Sequence, residues 1–297
     1  MTTSTHRAGH IAIVGQPNVG KSTLLNRLVG QKISITSRRP QTTRQRILGI
    51  VTREDAQYVF VDTPGFQNRH GNTMNRLMNR SVVHSVTDVD AVVWVVEALR
   101  LDAGDKAVAA LLQGTAPVVV AVNKIDSVDN KNRLLPFIAE LQTLANPAAL
   151  VPVSAKSGDG TDELLRVIRG LLPEQERFHA EDEITTASER TLAAEMLREK
   201  LFRSLGEELP YSATVDIEQF QLKDNGVRHI HASILVDKPS QKAIVIGKRG
   251  EKLKQIASLA RGDMERLFGG KVFLEVWVKV KSGWADDRAI LQRAGID

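Results

Sequence analysis

Ile11-Ala12-Ile13-Val14-Gly15-Gln16-Pro17-Asn18-Val19-Gly20-Lys21-Ser22-Thr23 decides the fold. Its first four residues are a continuous apolar run, the mark of a strand covered on both faces. The next eight fit G-x-x-x-x-G-K-[ST], a loop whose glycines at 15 and 20 let backbone N–H groups wrap phosphates. Lys21 to Val29 then reads as a helix whose positive N-terminal end adds to that cradle. Lys21 should reach the β- and γ-phosphates, and the Ser22 hydroxyl should coordinate the Mg²⁺ that bridges them. Gly15, Asn18, Val19, Gly20 and Thr23 complete the expected lining. Such a loop alone leaves ATPases, kinases and GTPases open.

Four further motifs narrow the choice. Asp62-Thr63-Pro64-Gly65, Asn123-Lys124-Ile125-Asp126 and Ser154-Ala155-Lys156 each follow an apolar run, and Thr42-Thr43 lies between the first two loops. Asp62 ends a strand, so its carboxylate can hold Mg²⁺ through water, and Gly65 can offer an N–H to a γ-phosphate. Asp126 can accept two hydrogen bonds from guanine, at N1–H and the 2-amino group, and adenine offers neither. Losing two charge-assisted bonds implies a preference for GTP over ATP of ~10²–10⁴-fold. Asn123 is expected to brace the phosphate and base loops, Lys124 to pack its stem along the base, and Ala155 to offer its N–H to the guanine oxygen. Each motif alone is an ordinary turn; their joint occurrence in this order is not.

Around these motifs the chain alternates strands and helices to about residue 170. Strands are expected at 11–14, 47–52, 58–61, 91–96, 118–122 and 150–153. The expectation is a doubly wound, mostly parallel α/β sheet, the P-loop GTPase architecture, with ligands at the strand C-termini. An acidic, aperiodic stretch containing Glu181-Asp182-Glu183 reads as a linker whose start packs on the first domain. The expected division is therefore 1–172, a linker at 173–188, and a second domain at 189–297.

The second half opens with a helix over 189–205, with Leu192, Met196, Leu197 and Leu201 on one stripe. Strands at 214–222 and 228–236 follow, joined by Lys223-Asp224-Asn225-Gly226, a hairpin turn. His229 and His231 share a face expected to be solvated. A short helix should end at Gly247, a second begin at Glu251, and a strand close at 272–280. Gly247-Lys248-Arg249-Gly250 sits between the two helices, and α-β-β-α-GxxG-α-β is the order of an α+β KH RNA-binding domain. In that module the glycines let a nucleic-acid backbone come close while the central residues face phosphates. Lys248 and Arg249, with Lys252 and Lys254 just beyond, suit that role. Residues 242–281 hold ten Lys/Arg against four acids, net +6, while the whole chain is +5. That segment favours a polyanion, with binding that weakens as salt rises.

Composition excludes other classes. At 297 residues, 42% apolar and 25% charged, the chain suits two soluble globular domains. There is no cysteine, which removes disulfides, thiolate metal sites and a cysteine nucleophile. No apolar run is long enough to span a membrane, and the polar start lacks the apolar core of a secretory signal. Cytoplasmic residence is the expectation.

Taken together, the five nucleotide motifs, the segment Gln41-Thr42-Thr43-Arg44, the GxxG domain and the tail Leu274-Glu275-Val276-Trp277-Val278-Lys279-Val280-Lys281-Ser282-Gly283-Trp284-Ala285-Asp286 resemble the Era-type GTPases of bacteria, from about His10 to Asp287. The resemblance implies a GTP-switched factor in maturation of the small (30S) ribosomal subunit, and a monomer is expected. It further implies binding near the 3′ end of 16S rRNA and peripheral association with the inner membrane, an anionic surface. It points to Thr43, ahead of its neighbour Thr42, as a Mg²⁺ ligand within a switch spanning Ile33 to Ile47. Lys21, Asn18, Thr43 and Gly65 are then the residues expected to act on the γ-phosphate. Many switch GTPases place a water-orienting glutamine after Asp-x-x-Gly; here Phe66 has neither donor nor acceptor, so slow intrinsic turnover is expected. In related GTPases an asparagine at the position of Asn18 helps hold K⁺ where an arginine finger would place charge; the alternative is a loop-bracing side chain. Two other readings are an RNA-processing enzyme driven by GTP, for which the second half shows no catalytic constellation, and a module that binds protein or anionic lipid. The low aromatic content, 4%, favours phosphate-centred contact.

Overall fold

In the computed structural model the described residues are 6–36, 47–63, 85–206 and 209–293. Thr43, Gly65, Phe66 and switch residues 37–46 lie outside them. The chain divides into two compact units, with Thr186 the last residue of the first and Ala187 opening the main body of the second.

The first unit is a six-stranded sheet. Its strands are β1 (Arg7–Val14), β2 (Ile47–Thr52), β3 (Ala56–Asp62), β4 (Ala91–Glu97), β5 (Val118–Asn123) and β6 (Ala149–Pro152). They lie in the order β2-β3-β1-β4-β5-β6, with every neighbouring pair parallel except β2 with β3. Helices α1 (Lys21–Val29), α2 (Ala103–Leu111), α3 (Leu134–Ala145) and α4 (Thr161–Leu171) follow β1, β4, β5 and β6. The central strands are buried along nearly their whole length; Val92 to Val96 and Val119 to Val122 are fully excluded from solvent. This is why they read as unbroken apolar runs rather than as alternation.

Several strand ends shift by one or two residues from the sequence expectation, and two differences are larger. Strand β1 begins at Arg7, not Ile11, because the polar residues at its start pair with β3 from Ala56 onward. The Arg7 guanidinium donates to the carbonyls of Gly170 and Leu172. The acidic stretch after Leu172 is a strap along the first unit. Glu174 bridges to Arg7, the Gln57 side chain accepts from the N–H groups of Phe178 and His179, Ile184 O accepts from Ile50 N at 2.8 Å, and Thr185 Oγ1 donates to Leu48 O.

The second unit runs α5 (Glu189–Ser204), β7 (Ala213–Leu222), β8 (Arg228–Val236), α6 (Pro239–Ile246), α7 (Glu251–Phe268), β9 (Val272–Val280) and α8 (Arg288–Arg293). β7 and β8 form the expected antiparallel hairpin, and β9 joins β8 in parallel. Met196, Leu197, Leu201, Ile230, Ile234, Ile256, Ala260 and Met264 form its core. Helix α5 departs from a single stripe: Glu195, Arg198, Glu199 and Lys200 are buried as well. Burial of charge is tolerated only with partners. Arg198 grips Glu195 with two bonds of 2.7 Å, Glu199 meets Arg203 at 2.6 Å, and Lys200 meets Asp263. On the outer face of the sheet, His229 and His231 are half-buried against Phe273 and Trp277, with ring centroids at 4.9 and 5.5 Å, rather than simply solvated.

Candidate functional site

The nucleotide motifs converge at one edge of the first sheet because each follows a strand of the same polarity. The phosphate loop leaves β1, Asp62 ends β3, Asn123 ends β5, and Ser154 follows β6. Parallel strands bring their C-terminal ends together, and loops there share a crevice.

Sterics fix the glycines of the phosphate loop. Gly15 has φ +147° and a Cβ there would stand 2.4 Å from Val95 O; Gly20 has φ +105° and a Cβ 2.2 Å from Asn123 Nδ2. Lys21 is 6% exposed, and its ammonium donates to Gly15 O at 3.0 Å and Gln16 O at 2.8 Å. Burial lowers its pKa to about 8, with the nearby Asp62 carboxylate pulling the other way. Asn18 is exposed in the left-handed conformation, φ 66°, and its side chain braces nothing among the described residues. Val19 is buried and Thr23 half-buried.

Asp62 is fully buried, and its Oδ2 accepts from Ser22 Oγ at 2.9 Å and from Ser34 Oγ at 2.7 Å. These are hard oxygen donors, the set that suits a small divalent cation. Ser34 was not among the sequence candidates. It is held by Asn26 of α1, whose side chain accepts from Ile33 N and Ser34 N and donates to Ser34 O, all within 2.9 Å. The switch expected from Ile33 is therefore anchored at its first two residues. No sequence motif signals this, since the partners are linked only by the loop they close.

The base side rests on Asn123, 2% exposed. Its Nδ2 donates to Val19 O at 2.7 Å and its Oδ1 accepts from Ala155 N at 2.9 Å, so one carboxamide ties three loops. The Ala155 N–H, expected to face the guanine oxygen, is thus engaged with Asn123 here. Asp126 is exposed, with Oδ1 accepting from Ser154 Oγ at 2.7 Å. Lys124 is left-handed, φ 66°, and its Nζ lies 2.6 Å from Glu97 Oε2. Lys156 is exposed, and its carbonyl and that of Ala155 accept from Arg27 of α1.

In the second unit, Gly247 (φ +72°) and Gly250 (φ +79°) flank Lys248 and the left-handed Arg249 (φ 51°). A Cβ at Gly247 would meet Lys252 Cβ at 2.7 Å, whereas nothing lies within 4 Å of one at Gly250. Lys248, Arg249 and Lys254 are exposed and Lys252 half-buried; none of the four forms an ion pair among the described residues. Ile244 and Leu259, about half exposed, lie on the two flanking helices.

Comparison with known proteins agrees with this geometry. Residues 10–124 match a family model described as 50S ribosome-binding GTPase, and residues 208–285 one described as KH domain. The chain is 54% identical over 297 residues, the full length of both, to the GTPase Era of Nitrosomonas eutropha and to that of Chromobacterium violaceum. Among solved structures it is similar to an Era variant of Aquifex aeolicus bound to GDP·AlF4⁻ (TM-score 0.92, 36% identity, 98% of this chain and 99% of that one). An Era in complex with MgGDPNP and nucleotides 1506–1542 of 16S ribosomal RNA gives a TM-score of 0.93 at the same identity and coverage. With two units of this architecture and relatives of this identity along its whole length, the chain belongs to the GTPase Era family and is a GTP-binding, GTP-hydrolysing protein with a C-terminal KH domain.

Proposed function

We propose that the chain is a GTP-timed switch that grips the 3′ region of 16S rRNA and acts in assembly of the small ribosomal subunit. Residues 1–172 would do the nucleotide work, 189–297 the RNA work, and 173–188 would join them. The observation that carries the RNA half is the GxxG loop, where Lys248 and Arg249, with Lys254 on the following helix, make no ion pair among the described residues and stand beside an open Gly250 and the exposed Ile244 and Leu259. Cations beside an unobstructed backbone, with apolar side chains for unstacked bases, suit single-stranded RNA. The identity of that RNA is taken from the Era complex with 16S nucleotides 1506–1542.

On the nucleotide side, Gly15, Val19, Gly20 and Thr23 line the phosphates through backbone N–H groups. Lys21 moves from the carbonyls of Gly15 and Gln16 to the β- and γ-phosphates and neutralises charge there. Asp126 reads the N1–H and 2-amino edge of guanine, and Lys124 lays its stem along the ring. Ser154, Ala155 and Lys156 close the opposite side of the base. Ser22 and Asp62 fit Mg²⁺, and Thr43, outside the described residues, is the third ligand we propose; the ion would supply positive charge to the phosphates. Asn18, exposed and bracing nothing among the described residues, favours the K⁺ reading over the loop-bracing one. Gly65 would sense the γ-phosphate. The same loop cations would also meet the anionic surface of the inner membrane, and we take the working form to be a cytoplasmic monomer.

The test is the affinity of the full chain for a 16S 3′-end RNA fragment. Gly250→Asp adds a carboxylate where phosphates must pass, at a folding cost of only about 1 kcal/mol for the left-handed backbone. Binding should be lost while GTP binding survives. Affinity unchanged in a Gly250→Asp protein that keeps its circular dichroism would refute RNA recognition through this loop. Anionic vesicles that displace the RNA poorly would leave lipid as a lesser ligand.

A further inference from the structure

Glu97 ends β4 directly beside Asn123, its register partner on β5, so the residue after Asn123 falls within reach of its side chain. That residue is Lys124, whose ammonium lies 2.6 Å from Glu97 Oε2 with the two side chains 35% and 29% exposed. Outside the pair stands Arg100, 3.9 Å from Glu97 and 3.8 Å from Asp102. Asp102 in turn caps α2 and accepts from Gln16 Nε2 at 2.6 Å. The short segment 97–102 therefore holds the base loop through Lys124 and the phosphate loop through Gln16.

We propose that Glu97 is a positioning residue for the guanine nucleotide, fixing the ammonium of Lys124 so that its four-carbon stem is already laid along the plane where the base stacks. The inference rests on the assignment of Lys124 and Asp126 to the base. A free lysine samples many rotamers, and ordering it on binding weakens affinity. Anchored by Glu97, the stem is preorganised before the nucleotide arrives. The stem meets the face of the ring, whereas Asp126 meets its edge. Loss of Glu97 should therefore fall equally on any purine nucleotide that shares the six-position oxygen, whatever stands at position 2. A merely structural ion pair would leave nucleotide affinity untouched.

The experiment measures dissociation constants and off-rates of GDP and IDP, which lacks the 2-amino group, on the full-length chain. Glu97→Ala should weaken both by the same factor, ~3–10-fold, mainly through faster dissociation. Glu97→Gln, which keeps a hydrogen bond but not the charge, should fall between and carries the test if the alanine variant melts early. Asp126→Asn is the comparator and should abolish the preference for GDP over IDP. Affinities within twofold of the parent in both Glu97 variants would overturn the proposal, as would a loss confined to GDP. Parental affinities in Asp126→Asn would instead overturn the base-pocket assignment beneath it.

Discussion

Replacing Asn123 by alanine removes the two bonds that join the phosphate loop to the base loops. The side chain is 2% exposed, and the groups it serves, Val19 O at 2.7 Å and Ala155 N at 2.9 Å, are buried with it. Each buried polar group stripped of its partner costs about 1–3 kcal/mol. Two of them give about 2–6 kcal/mol, with the lower end favoured because the vacated volume can admit a water. Against a domain stability of about 5–15 kcal/mol this is a large fraction. Asn123→Asp separates polarity from volume: it keeps an acceptor for Ala155 N but turns a carboxylate oxygen on Val19 O. Hydrogen exchange at the Ala155 amide reports the local bond directly. Its protection should drop ~10–100-fold in the alanine variant and persist in the aspartate variant, while thermal melting of the first unit falls in both. Retained Ala155 protection in Asn123→Ala, or a loss of stability under about 1 kcal/mol, would refute the reasoning.

Lys21 gives a pH signature, since burial lowers it from 10.5 to about 8. Bound phosphates would restore its charge, so GDP affinity should be level below pH 8 and fall about tenfold per unit above it; a dissociation constant flat to pH 9.5 would take Lys21 off the phosphates. In the nucleotide-free chain the unfolded state holds this proton up to 10.5 and the folded state only to about 8. Stability should therefore rise across that window, and urea melts at pH 7.5 and 9.5 would show it. Asp126→Asn should turn the base preference from GTP toward xanthosine triphosphate, whose 2-carbonyl accepts where guanine donates; unaltered GTP affinity would move base reading elsewhere. GTP hydrolysis should run faster in K⁺ than in Na⁺, and equal rates would remove Asn18 and the cation from the mechanism. Lys248→Ala with Arg249→Ala should reduce the log–log salt slope of RNA binding by up to about two, and an unchanged slope would mean neither touches phosphate.

The strands were legible wherever burial on both faces left an unbroken apolar run, as at Val92 to Val96, and α1 was legible to the residue because a glycine stands at each end of it. What escaped depends on partners distant in the chain. Nothing near Arg7 announces that its guanidinium will close on carbonyls more than 160 residues away. Periodicity sorts charges outward, so Glu195, Arg198 and Lys200 read as surface until their partners are seen. At the nucleotide site the motif residues were readable because phosphate and guanine chemistry dictate them. The residues that hold them, Asn26, Ser34, Arg27 and Glu97, obey only local geometry, and other side chains could serve as well.

The strap from Glu174 to Thr185 bears on how this protein could be divided. Strand β2 is the outermost strand on its side of the sheet, and an outermost strand offers bare amides and carbonyls to any passing chain. Ile184 and Thr185 occupy that row at Ile50 N and Leu48 O. A fragment cut after Leu172 would keep the nucleotide motifs yet bare an adhesive border, prone to stacking molecule on molecule. One cut after Thr186 would carry its own shield into solution.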